Sequence, residues 1–233
     1  MVSLTVSPQT EEIEYPSEDG EPLAETYDHL YAILMTLEVL RRYLQGRRVT
    51  VLADQIFYYV ENFPKIYVVP DVMVIFDVEP GGRDSYKLWE EKQAPKVIFE
   101  MTSRRTKNKD MTEKKALYEG LGVREYWLFD PKKEWIEEQL VGYRLLNGEY
   151  VAIADRRSQV LQLRLEVDGK LIAFYREDTG EKLLIPDELS EALTMATAAQ
   201  TEAEERAEAE RQRAEELEAL LRQYQERFGD LPE

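Results

Sequence analysis

The stretch that decides the fold is residues 96–103, KVIFEMTS, in which a short apolar run ends in Glu100. The β-branched and aromatic side chains of this run predict a strand over Val97–Thr102. Because Glu100 follows four residues of strand character, we expect it within or at the end of a central strand. A buried carboxylate is costly unless it is paired or coordinated, so Glu100 is a candidate metal ligand.

A second acidic residue, Asp71, precedes another apolar run 29 positions earlier. Pro70 keeps the residue before it extended, and residues 72–76, VMVIF, continue as an all-apolar strand that we extend to Val78. Asp71 therefore lies at the mouth of a buried element, where it is a candidate metal ligand. The alternative is an ordinary turn, because Pro-Asp pairs are common in turns.

Further apolar patterns place helices beside these strands. Val49–Val60 and Glu125–Phe129 each predict one more strand. Asn108–Leu121 has apolar residues at helical spacing, and Gly122 ends this helix. The order helix, three strands, helix, strand predicts an α/β (α+β) fold with a mixed central sheet flanked by helices.

The first helix of that order is predicted over Ala24–Leu44. Its apolar positions recur mostly every three or four residues; they are Leu30, Ile33, Leu34, Leu37, Leu40 and Leu44. His29 lies near the start of this helix. We interpret it as a partly exposed surface residue rather than a ligand or a base.

Composition divides the chain into three predicted segments. Residues 1–23 are rich in Pro, Glu, Ser and Gly and predict an N-terminal arm. Residues 24–185 form the α/β domain. Residues 186–233 change to Ala, Glu, Arg and Leu with a weak 4,3 spacing, which predicts a long helix and favours a coiled coil and a homo-oligomer such as a dimer. The alternative is a single solvated helix.

The end of the α/β domain has two strong hairpin signals. Within Trp135–Phe174, Asn147-Gly148 and Asp168-Gly169 separate short runs of strand character. We expect peripheral hairpins that extend the central sheet.

Composition also limits the chemistry. The 233 residues include no cysteine and one histidine, so disulfides, thiolate zinc sites and sites with two imidazoles are excluded. A bound metal is then a hard ion held by oxygen. No apolar run approaches the roughly 18 to 20 residues that cross a bilayer, and we expect a cytoplasmic protein without a membrane span. The net charge of −17 opposes nonspecific nucleic-acid binding but leaves room for a local basic groove.

Such a groove is indicated directly after Glu100. Six cations occur within twelve positions there: Arg104, Arg105, Lys107, Lys109, Lys114 and Lys115. Lys114 shares a helical face with Leu117, Tyr118 and Leu121 and is predicted to point toward the sheet, where its ammonium could offset charge on a phosphate. Two alternatives remain open: Lys114 pairs with Asp110 one turn earlier, or Lys115 is the lysine of the site.

The ordered motifs resemble a known family. Pro70-Asp71, Glu100-Met101-Thr102-Ser103, Asp110-x3-Lys114-x3-Tyr118, Gly122-Val123-Arg124-Glu125-Tyr126-Trp127 and Asp130-Pro131 are similar to the Uma-type restriction endonucleases of the PD-(D/E)xK nuclease superfamily. The resemblance covers roughly residues 10–185. It is also carried by Arg83-x2-Tyr86-x2-Trp89-Glu90-Glu91 and by the acidic heptad-like tail.

The resemblance implies a restriction-endonuclease-like core in which Asp71 and Glu100 hold Mg²⁺ or Mn²⁺, with the Met101 carbonyl as a third donor. The chain departs from the superfamily signature at Thr102, where a lysine belongs. Lys114 would replace that lysine from the following helix. Asp54 and Glu25 are additional candidate acids of the site.

Two hypotheses for function follow. The first is a metal-dependent endonuclease that hydrolyses DNA by metal-assisted attack of water, with Asp71, Glu100 and Lys114 as catalytic residues. The second is an inactive nucleic-acid-binding or assembly module on the same fold, which the missing lysine at Thr102 and the acidic charge favour. RNA is an alternative substrate that the sequence does not separate from DNA.

Overall fold

The structure is a computed structural model that describes residues 13–18 and 26–229. Contacts divide the chain into two units, Met1–Leu183 and Leu184–Glu233. The predicted N-terminal arm lies largely outside the described residues, as does Glu25. No helix in the described part of the chain is both long enough and apolar enough to span a membrane.

The first unit contains both helices and strands. Its helical segments are α1 (Tyr27–Tyr43), α2 (Leu88–Glu91), α3 (Lys107–Lys109), a π-helical turn (Asp110–Lys114) and α4 (Lys115–Gly120). Its strands are β1 (Val49–Ala53), β2 (Phe57–Tyr58), β3 (Tyr67–Val68), β4 (Val72–Phe76), β5 (Tyr86–Lys87), β6 (Val97–Met101), β7 (Glu125–Phe129), β8 (Leu140–Leu146), β9 (Glu149–Ile153), β10 (Arg157–Ser158), β11 (Leu163–Asp168), β12 (Leu171–Arg176) and β13 (Lys182–Leu183).

A six-stranded sheet forms the centre of this unit, with the order β1-β4-β6-β7-β8-β9. β6 and β7 run parallel, whereas the other neighbours run antiparallel, so the predicted mixed sheet is confirmed. β6 and β7 are buried along their whole length, because their apolar runs are covered on both faces. The strand that contains Glu100 is central, as the sequence predicts.

The predicted single strand over Val49–Val60 is wrong in one respect. It breaks after Ala53, because Asp54 adopts a positive φ of 50° and ends the pairing with β4. The chain resumes as β2, which pairs with β3 and β5 in a small sheet of its own. The break turns the chain at the same edge of the central sheet where β4 begins.

The two predicted hairpins form, but only one extends the central sheet. Asn147 and Gly148 both have positive φ values and join β8 to β9 at the edge of that sheet. The turn at Asp168-Gly169 joins β11 to β12, which belong to a separate four-stranded sheet. Phe174 of β12 packs edge-on against Phe99 of β6, so this second sheet covers one face of the first.

Helix α1 packs against the sheet with a face that coincides only in part with the predicted one, because Ile33, Leu40 and Leu44 are buried as expected. Its buried residues are His29, Ala32, Ile33, Thr36, Val39 and Leu40, whereas Leu30 and Leu34 are 41% and 42% exposed. Ala32 and Thr36 are small enough to face the sheet. The prediction missed them because it followed the leucines. The main contacts of α1 are with β1, β4, β6 and β12.

The helical segment from α3 to α4 confirms the helix predicted between β6 and β7. Tyr118 is fully buried, and Met111, Leu117 and Leu121 pack against the core that contains Ile98, Tyr126 and Leu128. Gly122 follows with a φ of 77°, which suits a glycine directly after a helix. The segment therefore covers the sheet face to which Ile98 of β6 contributes.

The second unit is the helix α5 (Pro186–Phe228). Pro186 occupies the first helical position, and the Glu188 carboxylate accepts a hydrogen bond from the Ile185 amide at 3.1 Å. The predicted long C-terminal helix is confirmed over these residues.

Candidate active site

Asp71 and Glu100 lie at the same end of the central strands β4 and β6, and this end of the strands is called the sheet edge below. β4 begins directly after Asp71 and β6 ends at Met101, and because these strands are antiparallel the two ends coincide. The Met101 amide donates a 2.5 Å hydrogen bond to Asp71 Oδ2. Two acids that are 29 positions apart in sequence are thereby brought together at the mouth of a buried sheet.

Glu100 is 1% exposed, and both of its carboxylate oxygens are hydrogen-bonded. The Tyr118 hydroxyl donates to Oε1 at 2.7 Å, and the Lys114 ammonium donates to Oε2 at 2.6 Å. Burial raises the pKa of Glu100 to about 7, with the Lys114 charge opposing the rise and the Asp110 charge adding to it. Burial thus favours the protonated form of Glu100, whereas the Lys114 ammonium favours the carboxylate.

Lys114 points into the sheet edge and is 7% exposed. Besides Glu100, its Nζ donates to the Val69 carbonyl at 3.2 Å and lies 3.5 Å from Asp110 Oδ1. Burial disfavours its charged form, but the carboxylates of Glu100, Asp71 and Asp110 outweigh burial and raise its pKa. The pairing with Asp110 and the orientation toward the sheet therefore occur together.

The π-helical turn Asp110–Lys114 explains how both residues reach the same place. Both of its end residues are buried and lie on the sheet side, whereas Thr112 and Glu113 are exposed. Lys115 faces elsewhere, with its Nζ 3.7 Å from the centroid of the Tyr143 ring. Of the two neighbouring lysines, only Lys114 contacts Glu100.

Asp71 is surrounded by charge. Burial raises its pKa well above the usual range, with repulsion from Glu100 and Asp54 adding to the rise and Lys114 opposing it. Asp54 lies alongside, since its amide is 3.2 Å from the Pro70 carbonyl and 3.3 Å from that of Asp71. Asp54 is exposed at the rim.

His29 is a residue that the sequence interpretation placed wrongly. It is 4% exposed rather than at the surface, and its Nε2 lies 3.7 Å from Asp71 Oδ2. A signal was present, because His29 stands at helical spacing with Ile33, Thr36 and Leu40, all of them buried. The helical face that contains those residues therefore also contains the His29 imidazole.

Tyr118 and Asp110 also belong to the site, although the sequence interpretation gave them no role of their own. Burial raises the pKa of Tyr118 well above its usual value, and the nearby Glu100 charge adds to the rise. The hydroxyl therefore stays protonated and acts as a donor. The spacing Asp110-x3-Lys114-x3-Tyr118 was the available signal, because all three residues fall on one helical face.

Thr102, where the superfamily lysine belongs, is 2% exposed. Its amide donates to the Phe129 carbonyl at 2.6 Å, and its hydroxyl makes no hydrogen bond within the described part of the chain. Thr102 thus continues the pairing of β6 with β7 and supplies no cation.

The basic segment that follows β6 is largely exposed. Arg104, Arg105 and Lys109 face solvent, and the Lys107 ammonium lies 3.7 Å from the centroid of the Trp135 ring. The segment starts at the sheet edge that carries Asp71 and Glu100. Its first cation, Arg104, follows the end of β6 by three positions.

The chain is similar to a known protein family and to a solved structure. The Uma2 family model, described as "Putative restriction endonuclease", matches residues 4–173. A solved structure from Anabaena variabilis ATCC 29413, titled a putative nuclease belonging to DUF820, is similar at 16% identity and a TM-score of 0.42, over 57% of this chain and 71% of that chain. No curated protein matches.

The family match spans most of the chain, including every residue of the site described above. It supports the assignment of the protein as a nuclease. The chain belongs to the Uma2 family, whose model carries the description quoted above.

Proposed function

We propose that this protein is a metal-dependent endonuclease that hydrolyses phosphodiester bonds of DNA, with Mg²⁺ or Mn²⁺ as its cofactor. The observation that carries the proposal is the convergence of Asp71, Glu100 and Lys114 at one edge of the central sheet. Two acids and one ammonium at a sheet edge match the requirements of phosphodiester hydrolysis, in which charge develops on phosphate oxygens.

The excess of buried acid supports a divalent cation. Glu100 and Asp110 contact the ammonium of Lys114, the charge of Asp71 acts on it as well, and burial raises the pKa of each acid. Among residues 13–18 and 26–229 no group of three or more His, Asp or Glu side chains is arranged as a metal site. Two carboxylates suffice for Mg²⁺, however, because water and substrate oxygens commonly complete its coordination.

Asp71 and Glu100 are the residues that would hold the cation, with the Met101 carbonyl as a candidate third donor. A bound divalent cation supplies Lewis acidity toward a phosphate oxygen and toward water. Lys114 brings a positive charge beside Glu100, where it offsets charge on the phosphate or orients the attacking water. No residue has to form a covalent intermediate.

DNA is the proposed substrate because cations adjoin the acids. Arg104 and Lys109 are exposed in the segment that follows β6, where they can contact phosphates. They act locally in a chain whose net charge is −17. Binding through these contacts should weaken steeply with salt.

Cleavage of plasmid DNA tests the proposal. The wild-type protein should nick or cut DNA with Mg²⁺ or Mn²⁺ and not with EDTA. Asp71→Ala and Glu100→Ala should each lower the rate by at least about 100-fold, the scale of losing one group that stabilises the transition state. Glu113→Ala, at an exposed acid of the π-helical turn, is the matched control and should leave the rate unchanged.

Unchanged cleavage in Asp71→Ala and Glu100→Ala would refute the assigned site. The same assay with single-stranded RNA decides between the two nucleic acids, since preferential cleavage of RNA would contradict the DNA substrate.

A non-catalytic nucleic-acid-binding or assembly module is the second candidate. Both oxygens of Glu100 are hydrogen-bonded within the protein, and the residue is 1% exposed. This favours the second candidate, because neither oxygen is then free to bind a metal. Calorimetric titration with Mg²⁺ and Mn²⁺ separates the two. A folded protein that binds neither ion supports the module and contradicts the nuclease.

We also propose that α5 mediates self-association. Leu217, Leu221 and Tyr224 continue the 4,3 spacing and are 67%, 45% and 48% exposed. Deletion of residues 186–233 should leave a folded domain of lower oligomeric mass in light scattering. An unchanged number of subunits would contradict the coiled coil.

A further inference from the structure

The Lys114 ammonium is surrounded by oxygen atoms in the way that a bound cation is. Glu100 Oε2 lies 2.6 Å from Nζ, the Val69 carbonyl 3.2 Å and Asp110 Oδ1 3.5 Å. These three oxygens come from three separate segments of the chain. Carboxylate and main-chain carbonyl oxygens are also the donors that hard divalent cations select.

The Lys114 ammonium compensates the negative charges of the acids around it. Glu100 and Asp110 are buried with it, and Asp71 lies close enough to favour its charged form. Without a cation, three neighbouring acids would repel one another in a poorly solvated environment, which is costly. Lys114 therefore performs in this structure the charge compensation that a metal would perform.

The chemistry of a lysine side chain also allows the Lys114 ammonium to move away from Glu100. A lysine carries a compact charge on a flexible four-carbon stem with three rotatable donors, so it can exchange one oxygen partner for another. The π-helical turn that carries it is a form often found at functional positions in helices. Glu100, in contrast, is held on a central strand and cannot follow it.

We propose that Lys114 is the resident counter-cation of the Glu100 carboxylate and that it competes with a divalent metal for this position. The inference rests on the nuclease proposed above and adds a second role for its lysine. Lys114 gives up Glu100 when the metal is taken up, and the released ammonium is then available to the phosphate. Glu100 Oε2 has one cationic partner at a time, and the exchange couples metal uptake to the placement of the lysine.

The competition predicts an unusual effect of mutation. Removal of the charge in Lys114→Gln should increase the affinity for Mn²⁺ by about tenfold or more while cleavage is lost, because a unit charge a few ångströms away no longer repels the ion. A lysine that merely supports the metal ligands would weaken binding when replaced. Isothermal titration of the full-length protein with Mn²⁺ alone measures the sign directly.

Two control variants isolate the position and the charge. Lys115→Gln removes a cation from the adjacent residue, whose ammonium lies over the Tyr143 ring, and should leave the affinity unchanged. Lys114→Arg retains the charge and should not bind Mn²⁺ more tightly than the wild type. Combining Lys114→Gln with Glu100→Gln should abolish the gain, because the contested carboxylate is absent.

Lysine acetylation of the wild-type protein tests the inference independently, even if Lys114→Gln does not fold. Lys114 is buried and should be protected from an amine-acetylating reagent without metal. Mn²⁺ should increase its modification several-fold, whereas the exposed Lys109 should react equally in both states. Peptide mass spectrometry resolves the individual lysines.

Equal or weaker Mn²⁺ binding by folded Lys114→Gln would overturn the inference, as would a reactivity of Lys114 that Mn²⁺ leaves unchanged. Binding by Lys114→Gln in a protein whose wild type binds no Mn²⁺ would support the inference and contradict the nuclease. Absence of binding in both overturns the two together. Metal-dependent cleavage with a loss of affinity in Lys114→Gln overturns the inference alone.

Discussion

Two buried glutamates on neighbouring strands have opposite surroundings. Glu100 is the last residue but one of β6, at the strand end that carries Asp71, whereas Glu125 begins the parallel strand β7 at the opposite end. Both are at most 1% exposed. Burial is therefore not what distinguishes them; the identity of their partners is.

Glu125 is held by many fixed donors. Its carboxylate is approached by Ser158 Oγ at 2.5 Å, the Gln159 and Val160 amides at 2.8 and 3.3 Å, and Trp127 Nε1 and Arg144 Nε at 3.5 Å. Main-chain donors cannot move without unfolding the segment, so Glu125 is a structural anchor. Glu100 instead depends on two side-chain donors, the Tyr118 hydroxyl and the Lys114 ammonium. A carboxylate with a replaceable partner is suited to exchange ligands, and one with fixed partners is not.

The same substitution at both positions should give the largest contrast. Glu125→Gln places an amide among hydrogen-bond donors and should lower the free energy of unfolding by about 3 kcal/mol. Glu100→Gln should lower it by less, because Tyr118 can still donate to the amide oxygen. Urea unfolding followed by circular dichroism measures both.

Cleavage per folded molecule should follow the opposite order, being retained in Glu125→Gln and lost in Glu100→Gln. Equal losses of stability accompanied by equal losses of cleavage would remove the distinction between anchor and site.

The pH dependence of stability sharpens the comparison. Folded Glu100 keeps its proton up to a pKa of about 7, whereas an ordinary glutamate loses it near 4.5. The folded state thus binds more protons in this window, and the free energy of unfolding should fall as the pH rises from about 4.5 to about 7. Asp71 and Asp110, whose pKa values are also raised, act in the same direction.

Denaturant unfolding in EDTA across this pH range provides the measurement. The slope should become shallower in Glu100→Gln and persist in Glu125→Gln. A slope of the opposite sign would mean that Glu100 is ionised throughout and that its Lys114 pair outweighs burial.

The smallest expected effect concerns the second partner of Glu100. Tyr118→Phe removes one hydrogen bond and should lower the free energy of unfolding by about 1 kcal/mol. Tyr126→Phe is a matched control, because that hydroxyl donates to the Asp110 carbonyl at 2.9 Å and does not contact Glu100.

Only Tyr118→Phe should also change cleavage, since Glu100 then loses a donor that orients it. The same rate in both tyrosine variants would show that the Tyr118 hydroxyl contributes packing and stability alone.

Much of the candidate site was predictable because its parts are marked locally. Asp71 and Glu100 flank apolar runs, and the spacing of Lys114 with Tyr118 indicates one helical face. Their roles as metal ligands and catalytic residues stay predictions. The burial of His29 was not predicted, because the apolar face of α1 was assigned from its leucines. Two of these, Leu30 and Leu34, are exposed.

The break at Asp54 and the second sheet had no comparably local signal. Positive φ at an aspartate depends on the turn that the surrounding chain imposes. Likewise, a hairpin sequence specifies its own two strands but not the sheet to which they attach. Asn147-Gly148 and Asp168-Gly169 look alike in sequence and end in different sheets.

The amino-acid sequence by itself determined the strands around Asp71 and Glu100, the helix that carries Lys114, the long helix α5 and the absence of thiolate or multi-histidine chemistry. These features depend on residue types and on spacings of two to four positions, which act within one element. Only the tertiary structure decided that Lys114 binds Glu100, Asp110 and the Val69 carbonyl together, and that His29 lies beside Asp71. Val69 is 45 residues from Lys114, and contacts over such separations arise from the packing of whole elements, which no local spacing encodes.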